Sequence, residues 1–308
     1  MLYNCAVAIL YDNIGTVSAG RIDSMIRIYA DSTNDLGPEL IKKHNIRIVP
    51  LYVRMGDKTV KDGEELDVKA MYEWADKMKT TPQTSAFSPA DAEDAIAEAK
   101  NAGDDILFFG ISTEMSASCS SFKIAAENLD WSDHTFVVDS RNLSSGIGLL
   151  ILKAAKSVEK GEKTAAEIWL EMQELIPRVR ASFVVDTLLY LWRGGRCSAV
   201  SALAASALGI KPKIVVENGK MGVGHKYRGR IDKVIEKYVA DLAPGLKKAD
   251  PDAVFITHSG VDPVISEKVR KTLQGYKKFE SIYETHAGGV ISSHCGPGTL
   301  GVLFIEND

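Results

Sequence analysis

Ile106-Leu107-Phe108-Phe109 is an uninterrupted apolar run that ends at Gly110. A run this short and continuous reads as a strand buried on both faces, the kind that lies at the centre of a parallel sheet. The next positions are unlike it: Ser112, Thr113, Ser116, Ser118, Ser120 and Ser121 crowd together. Phe122, Ile124, Ala125, Ala126 and Leu129 then suit an amphipathic helix. A strand, a hydroxyl-rich turn and a helix therefore follow one another. Free N–H groups gather at such a helix N-terminus, and the helix dipole there favours an anion. The hydroxyls add donors without adding charge. Serine capping of the helix accounts for the same residues, and on this stretch alone it is the commoner use.

The chain around this stretch repeats the alternation. Met25 to Ala30 reads as a first strand, and Asp31-Ser32-Thr33-Asn34-Asp35-Leu36 leads to Pro38 near a helix start. Ile46 to Val53 reads as one further strand, and Asp67 to Met78 suits a helix. Ser88-Pro89-Ala90-Asp91 is a capping-box pattern whose helix should run to about Asn101 and stop at Gly103. Thr135 to Asp139 is a strand, Gly146 to Glu159 a helix closed by Gly161, and Thr164-Ala165-Ala166-Glu167 opens another helix. Such alternation predicts an α/β fold with an N-terminal, mostly parallel sheet carrying helices on both faces. Ligands on these sheets bind at the carboxyl ends of strands, near a switch in strand order.

Beyond Pro177 the pattern changes. Ala181 to Val185 is a strand, Leu188 to Arg193 a short helix, and Ala199 to Leu208 a helix of small residues. Asn218-Gly219 between two strand-like runs predicts a hairpin. Ile231 to Leu242 is amphipathic and should end at Pro244-Gly245; Ala253 to Thr257, Phe279 to Glu284 and Leu300 to Ile305 read as strands, with a helix from Pro263 to Leu273. Hairpins mixed with helices predict a C-terminal α+β domain with a mixed or antiparallel sheet. The expected division is an N-terminal extension over 1–24, one domain over 25–177 and a second over 178–308.

A chain of 308 residues has room for two such cores. Its net charge of −4 argues against a general nucleic-acid binder or an electrostatically held membrane protein. No apolar run is long enough to span a bilayer. Val7 to Leu10 is too short, and lacks a preceding basic residue, for a signal peptide. Cys5, Cys119, Cys197 and Cys295 form no CxxC pair and no zinc-like spacing. Scattered thiols of this kind point to a reducing, cytoplasmic setting.

Several ordered motifs carry a resemblance. They are Ile28 to Leu36, Thr81-Pro82-Gln83-Thr84-Ser85-Ala86-Phe87-Ser88-Pro89, Ile111 to Ser121, Tyr190-Leu191-Trp192-Arg193-Gly194-Gly195-Arg196, and Ile291 to Gly298. In this order, from Met25 to the C-terminus, they resemble the DegV family, which includes the fatty-acid-binding B subunits of the bacterial fatty acid kinase. The resemblance implies a protein that is not catalytic alone. It would hold a long-chain fatty acid in a tunnel completed by the second domain, with no cofactor beyond that ligand. A kinase catalytic subunit would phosphorylate the carboxylate, and the acyl phosphate would feed phospholipid synthesis. By motif match, Thr84, beside Ser85, and Ser116 fall on the hydroxyls that hold the carboxylate, with His294 and Arg193 in the polar network around it. Ala86-Phe87, Ala117-Ser118 and Gly289 depart from the family pattern, which bears on tunnel shape and ligand choice more than on the carboxylate site.

Residue chemistry offers other uses for the same positions. His294 lies in a Gly- and Ser-rich segment, read as a turn before a strand, where backbone bonding is the ordinary role. Arg193, just before a Gly-Gly pair, suits helix C-terminal charge. Asp31 and Asp139 suit capping at strand ends. His225 to Arg230 is a basic run, and Arg228 and Arg230 are its candidates for docking a kinase or its nucleotide phosphates. Two rival functions stand beside the carrier. One is a serine hydrolase of a small lipid-like substrate, with Ser116 as nucleophile and His294 as base, although no GxSxG elbow is present. The other is a nucleotide-binding module, although neither GxGxxG nor a Walker A sequence occurs.

Overall fold

The computed structural model describes residues 25–63, 65–200 and 209–307. The expected extension over 1–24, and most of the expected helix over 199–208, lie outside the described residues. The first half runs β1 (Ile26–Asp31), α1 (Pro38–Lys43), β2 (Arg47–Val49), β3 (Tyr52–Met55), β4 (Lys58–Lys61), α2 (Val68–Met78), β5 (Gln83–Ser85), α3 (Pro89–Ala102), β6 (Asp105–Gly110), α4 (Ser118–Asn128), β7 (Thr135–Asp139), α5 (Ser145–Lys160) and α6 (Ala165–Leu175). The second runs β8 (Val179–Val184), α7 (Leu189–Gly194), β9 (Ile210–Glu217), β10 (Lys220–Arg228), α8 (Ile231–Asp241), α9 (Ala243–Lys248), β11 (Ala249–His258), α10 (Pro263–Tyr276), β12 (Ser281–His286), α11 (Gly289–Cys295) and β13 (Leu300–Glu306).

Three sheets result. The first is parallel, in the order β2-β1-β6-β7, and β6 is buried along its whole length. The chain reverses its direction of travel between β1 and β6. The topological switch point therefore falls where Asp31 and Gly110 end their strands. The second sheet is mixed, in the order β10-β9-β8-β13-β11-β12, with β11 and β12 parallel and the other pairs antiparallel. The third is a small antiparallel sheet, β4-β3-β5. The fold class is the α/β arrangement expected from the alternation, followed by helices on a mixed sheet.

Packing sorts these elements into layers. Helices α3 and α4 cover one face of the parallel sheet through Ala92, Ile96, Ala99, Phe122 and Ala125. Helix α5 packs between the two large sheets, touching β1 and β6 on one side and β8, β11 and β13 on the other. One continuous core therefore joins the halves, from Ile28 and Leu107 through Ile147 and Leu150 to Phe183, Phe255 and Leu303. Helices α8, α9 and α10 cover the outer face of the mixed sheet through Val234, Tyr238, Leu246 and Leu273.

Local signals set the ends of these elements. Ser88 and Thr164 each close a full capping box, and Gly103 and Gly161 end their helices in the left-handed region. Asn218 and Gly219, with φ of +52° and +83°, make the tight hairpin turn between β9 and β10. The tip docks on the parallel sheet: Ser112 Oγ donates to the Gly219 carbonyl at 2.8 Å and Arg141 to the Asn218 carbonyl at 2.7 Å.

Four expectations need correction. Ile46 to Val53 is two strands in two sheets. Pro50 has no N–H for a ladder, so the chain leaves the parallel sheet at Val49 and enters the small sheet at Tyr52. Helix α8 does end at Asp241, but Pro244 and Gly245 belong to the next helix, α9, where Pro244 sits in the first turn and its missing N–H costs nothing. Phe279 and Glu280 precede β12 and are not part of it. His294 lies on a helix, and the reason belongs to the site below.

Ile147 is fully buried on α5, in the core that both sheets share. Ile147→Ala should cost about 2–5 kcal/mol. Urea unfolding followed by far-UV circular dichroism should give one transition at a lower midpoint. Two separated transitions would mean that the halves do not share a core.

Candidate functional site

Thr84 reaches the interior because β5 alternates. It stands opposite Val53, which is fully buried, and cross-strand partners share a face. Ser85, one residue on, points to the other face and is exposed. Thr84 and Ser85 thus cannot serve one ligand together. The two hydroxyl segments also do not leave the same sheet: Thr84 comes from the small antiparallel sheet and Ser116 from the loop after parallel strand β6.

The second half supplies α11. Its helix begins at a Gly-Gly pair whose amides meet two carboxylates of the first half. Asp35 Oδ1 accepts from Gly288 N at 2.8 Å, and Asp62 Oδ1 accepts from Gly289 N at 2.7 Å. Ser144 Oγ donates to Asp35 and Ser32 Oγ to Asp62. Glycine is required at 289 by closeness: a Cβ there would sit 1.9 Å from Leu66 Cδ2 and 2.9 Å from Asp62 Oδ1. Along the helix, Tyr72 donates to the Ser292 carbonyl at 3.3 Å. The amide anchors explain why a Gly- and Ser-rich segment is helical when its composition suggests a turn.

This anchoring places His294 in the last turn of α11. Its Nε2 lies 2.8 Å from Thr84 Oγ1. Its Nδ1 is buried and has no hydrogen-bond partner. Gly194, at the end of α7, lies over that nitrogen, where a Cβ would come within 2.3 Å of Nδ1. Burial, and secondarily the Arg196 charge, push the imidazole down to about 4, so it is neutral at physiological pH.

Ser116 belongs to a neighbouring chain of hydroxyls. Its Oγ lies 3.0 Å from Ser118 Oγ, and Ser118 hydrogen-bonds Asp31. Asp31 also accepts from Ile111 N at 2.8 Å and Thr33 N at 3.0 Å, tying the ends of β1 and β6 together at the switch point. Among the described residues no hydrogen bond joins Ser116 to Thr84 or His294. Burial raises Asp31 to about 6 and Asp35 to about 8, with the Asp62 and Asp31 charges adding to the rise at Asp35. Asp62 is raised as well, again chiefly by burial.

Arg193 is exposed on α7 and makes no hydrogen bond or ion pair among the described residues. The cation that acts on the His294 ring is Arg196, whose guanidinium donates to the Gly194 carbonyl at 2.7 Å. Arg228 and Arg230 are exposed at the end of β10, and Arg230 pairs with Asp232 at 3.2 Å. Sequence reasoning missed Asp35, Asp62 and Arg196. A buried acid leaves no sequence signature apart from its partners, and the Gly288-Gly289 doublet was the one visible sign of a close backbone approach.

Together these features define a three-sheet α/β protein whose site presents hydroxyls and a neutral imidazole, a set suited to holding a hydrogen-bond acceptor. Among the described residues no helix is long and apolar enough to cross a membrane, and no group of three or more His, Cys, Asp or Glu is placed to hold a metal. The chain belongs to the DegV family: residues 25–307 match the family model described as "Uncharacterised protein, DegV family". A DegV domain-containing protein of Deinococcus radiodurans is 31% identical over 91% of this chain and 98% of its own. A fatty-acid-binding DegV family protein of Thermus thermophilus superposes with a TM-score of 0.84 at 27% identity, over 92% of this chain and 100% of its own. DegV of Bacillus subtilis, described as a fatty acid binding protein, gives 0.81 at 28% identity over 92% and 100%. A stearic-acid-binding protein of Eubacterium ventriosum gives 0.79 at 27% identity over 92% and 98%.

The acids make a pH prediction. Asp35 has a folded pKa of about 8 against an ordinary 3.8, so the folded state holds the extra proton between these values. Its contribution to stability is full below pH 3.8 and is lost as pH rises to 8. Asp35→Asn keeps an acceptor for Gly288 N and removes that slope. Its stability relative to the parent should improve steadily from pH 4 to pH 8 in thermal melts. A gap that stays constant over this range would mean Asp35 is ionised throughout.

Proposed function

We propose that the protein is a fatty-acid-binding carrier that presents the carboxylate of a long-chain acid to a kinase partner for acyl phosphate formation. The observation that carries this reading is the Thr84–His294 pair, a hydroxyl held by a neutral imidazole where the halves meet. The solved relatives from Thermus thermophilus and Bacillus subtilis, described as binding fatty acids, support it. In this reading Thr84 and Ser116 hold the carboxylate, His294 orders the hydroxyl, and the protein performs no chemistry alone. The acyl phosphate then enters phospholipid synthesis. The bound acid is the ligand, and no cofactor is required.

Magnitudes divide the work. Each buried CH₂ contributes about 0.8 kcal/mol, so a long tail supplies on the order of 10 kcal/mol before the costs of binding. A hydrogen bond to a charged group contributes about 1.5–3 kcal/mol. The tail therefore sets affinity and the hydroxyls set orientation. A carboxylate held by neutral donors, and not by a fixed cation, keeps its nucleophilic oxygen available to the partner.

The geometry favours this over a hydrolase. A nucleophilic Ser116 needs a base, yet His294 Nε2 is engaged with Thr84, and the Ser116 hydroxyl neighbours Ser118.

Ser116→Ala and Thr84→Ala should each keep most bound lipid, read by native mass spectrometry. Kinase-coupled acyl phosphate formation should fall by more than tenfold in each, since loss of alignment costs more than loss of one bond. The double variant should fall less than the product of the two effects, because both hydroxyls serve one ligand. Turnover at the parent rate in the double variant would put the carboxylate elsewhere.

Arg228 and Arg230 are assigned to docking the kinase. Replacing both by Ala should weaken coupled turnover, more so at low ionic strength, and leave lipid content unchanged. Loss of lipid in that variant would move both residues from a docking face into the pocket.

A further inference from the structure

A cavity of about 620 Å³ lies on the joint between the halves and takes no part in the site above. Its walls come from α6, the start of β8, β9, the turn between α8 and α9, and the end of β13. His294 lies by the other ends of β8 and β13, where α7 and α11 meet. The two places thus face opposite ends of the middle strands of the mixed sheet.

Most charged groups on the cavity walls are already engaged. Arg141 donates to the Asn218 carbonyl, Arg180 pairs with Glu306 at 2.6 Å, and Asp241 accepts from the Tyr227 hydroxyl at 2.6 Å. Two donors are not engaged. Gln173 Nε2 is buried and has no hydrogen-bond partner. The Lys213 ammonium is half-buried, 5.9 Å from the centre of the Tyr238 ring, and makes no hydrogen bond or ion pair among the described residues. Burial works against its charge, while Asp241 and Glu217 favour that charge without pairing with it. Glu217 is itself exposed to water.

We infer that this cavity is a binding site for a small organic anion with an apolar body, whose charged group is taken by Lys213 and Gln173. Both unengaged groups are donors, so the ligand that completes them accepts. One of them is a full charge held partly out of water, and an anion answers it better than a neutral acceptor does. Ile176, Leu242, Pro244 and Phe304 supply apolar wall for the rest of the ligand. The volume falls within the roughly 300–1,000 Å³ usual for small-molecule sites. Gln173 comes from α6 and Lys213 from β9, so an occupant that touches both also fastens the halves together. Binding to the folded state alone then raises its stability.

The inference goes beyond the fatty-acid reading and does not depend on it. Full-length protein is given excess palmitate, which fills any lipid site. It is then titrated with anilinonaphthalene sulfonate, a fluorescent anion with an aromatic body. N-phenylnaphthylamine has the same rings without the sulfonate and is the neutral control. Both titrations are repeated on Lys213→Gln, Lys213→Arg and Gln173→Leu. The sulfonate should bind in the presence of palmitate and raise the Tm. Its affinity should fall about tenfold in Lys213→Gln, be largely kept in Lys213→Arg, and fall a few-fold in Gln173→Leu. The neutral control should bind the parent more weakly and be indifferent to all three substitutions. A lysine that only packs on Tyr238 would change the Tm of the free protein and leave the sulfonate affinity alone. Loss of all sulfonate binding on adding palmitate, or equal affinities in the parent and Lys213→Gln, overturns the inference while the fatty-acid reading stands. Failure of the parent to bind palmitate brings down that reading alone.

Discussion

Two buried carboxylates of the first half, Asp35 and Asp62, grip the first amides of a helix from the second. The rest of the site depends on that grip. Helix α11 has seven residues and opens on glycine, so it has little tendency to form by itself. Removing an acceptor would leave a buried amide without a partner, which costs about 1–3 kcal/mol. The grip has its own cost, since burial opposes charge on both acids and the Asp62 charge opposes ionisation of Asp35. Asp35 gives way by holding its proton. Holding that proton lessens the negative charge crowded at the helix N-terminus.

From this anchor the geometry runs outward in order. The helix carries His294 to Thr84, Gly194 gives the ring its space, and the small sheet turns Thr84 inward. Asp31 fastens the switch point of the parallel sheet and orders Ser118, which contacts Ser116. Around the core that joins them, the three sheets thereby bring together a set of uncharged donors. In the proposed function such a site holds an anion without neutralising it, which suits a carrier whose partner must later react with its cargo.

Much of the fold was legible because local signals and global packing agree. The apolar run at Ile106 to Phe109 is the buried central strand, the two capping boxes are complete, and Asn218-Gly219 makes its hairpin. Pro50 was visible as a residue that cannot donate, yet the redirection it causes depends on a third sheet that no periodicity announces. The helix at His294 was hidden for a different reason. Its residues favour a turn, and the carboxylates that make it helical lie more than two hundred residues away in the chain. Family resemblance supplied Thr84, Ser116 and His294. Only coordinates separate inward Thr84 from outward Ser85, or bring Arg196 and not Arg193 to the imidazole.

In the proposed function a carboxylate is held where Thr84 meets His294. A crystal structure of the full chain with palmitate tests this most directly. The expected result is a carboxylate oxygen within hydrogen-bond reach of Thr84 Oγ1, the His294 Nε2 contact retained, and the tail running away from both into the apolar interior. A palmitate seated with its tail against Thr84, or with its carboxylate paired to an arginine far from His294, would contradict it.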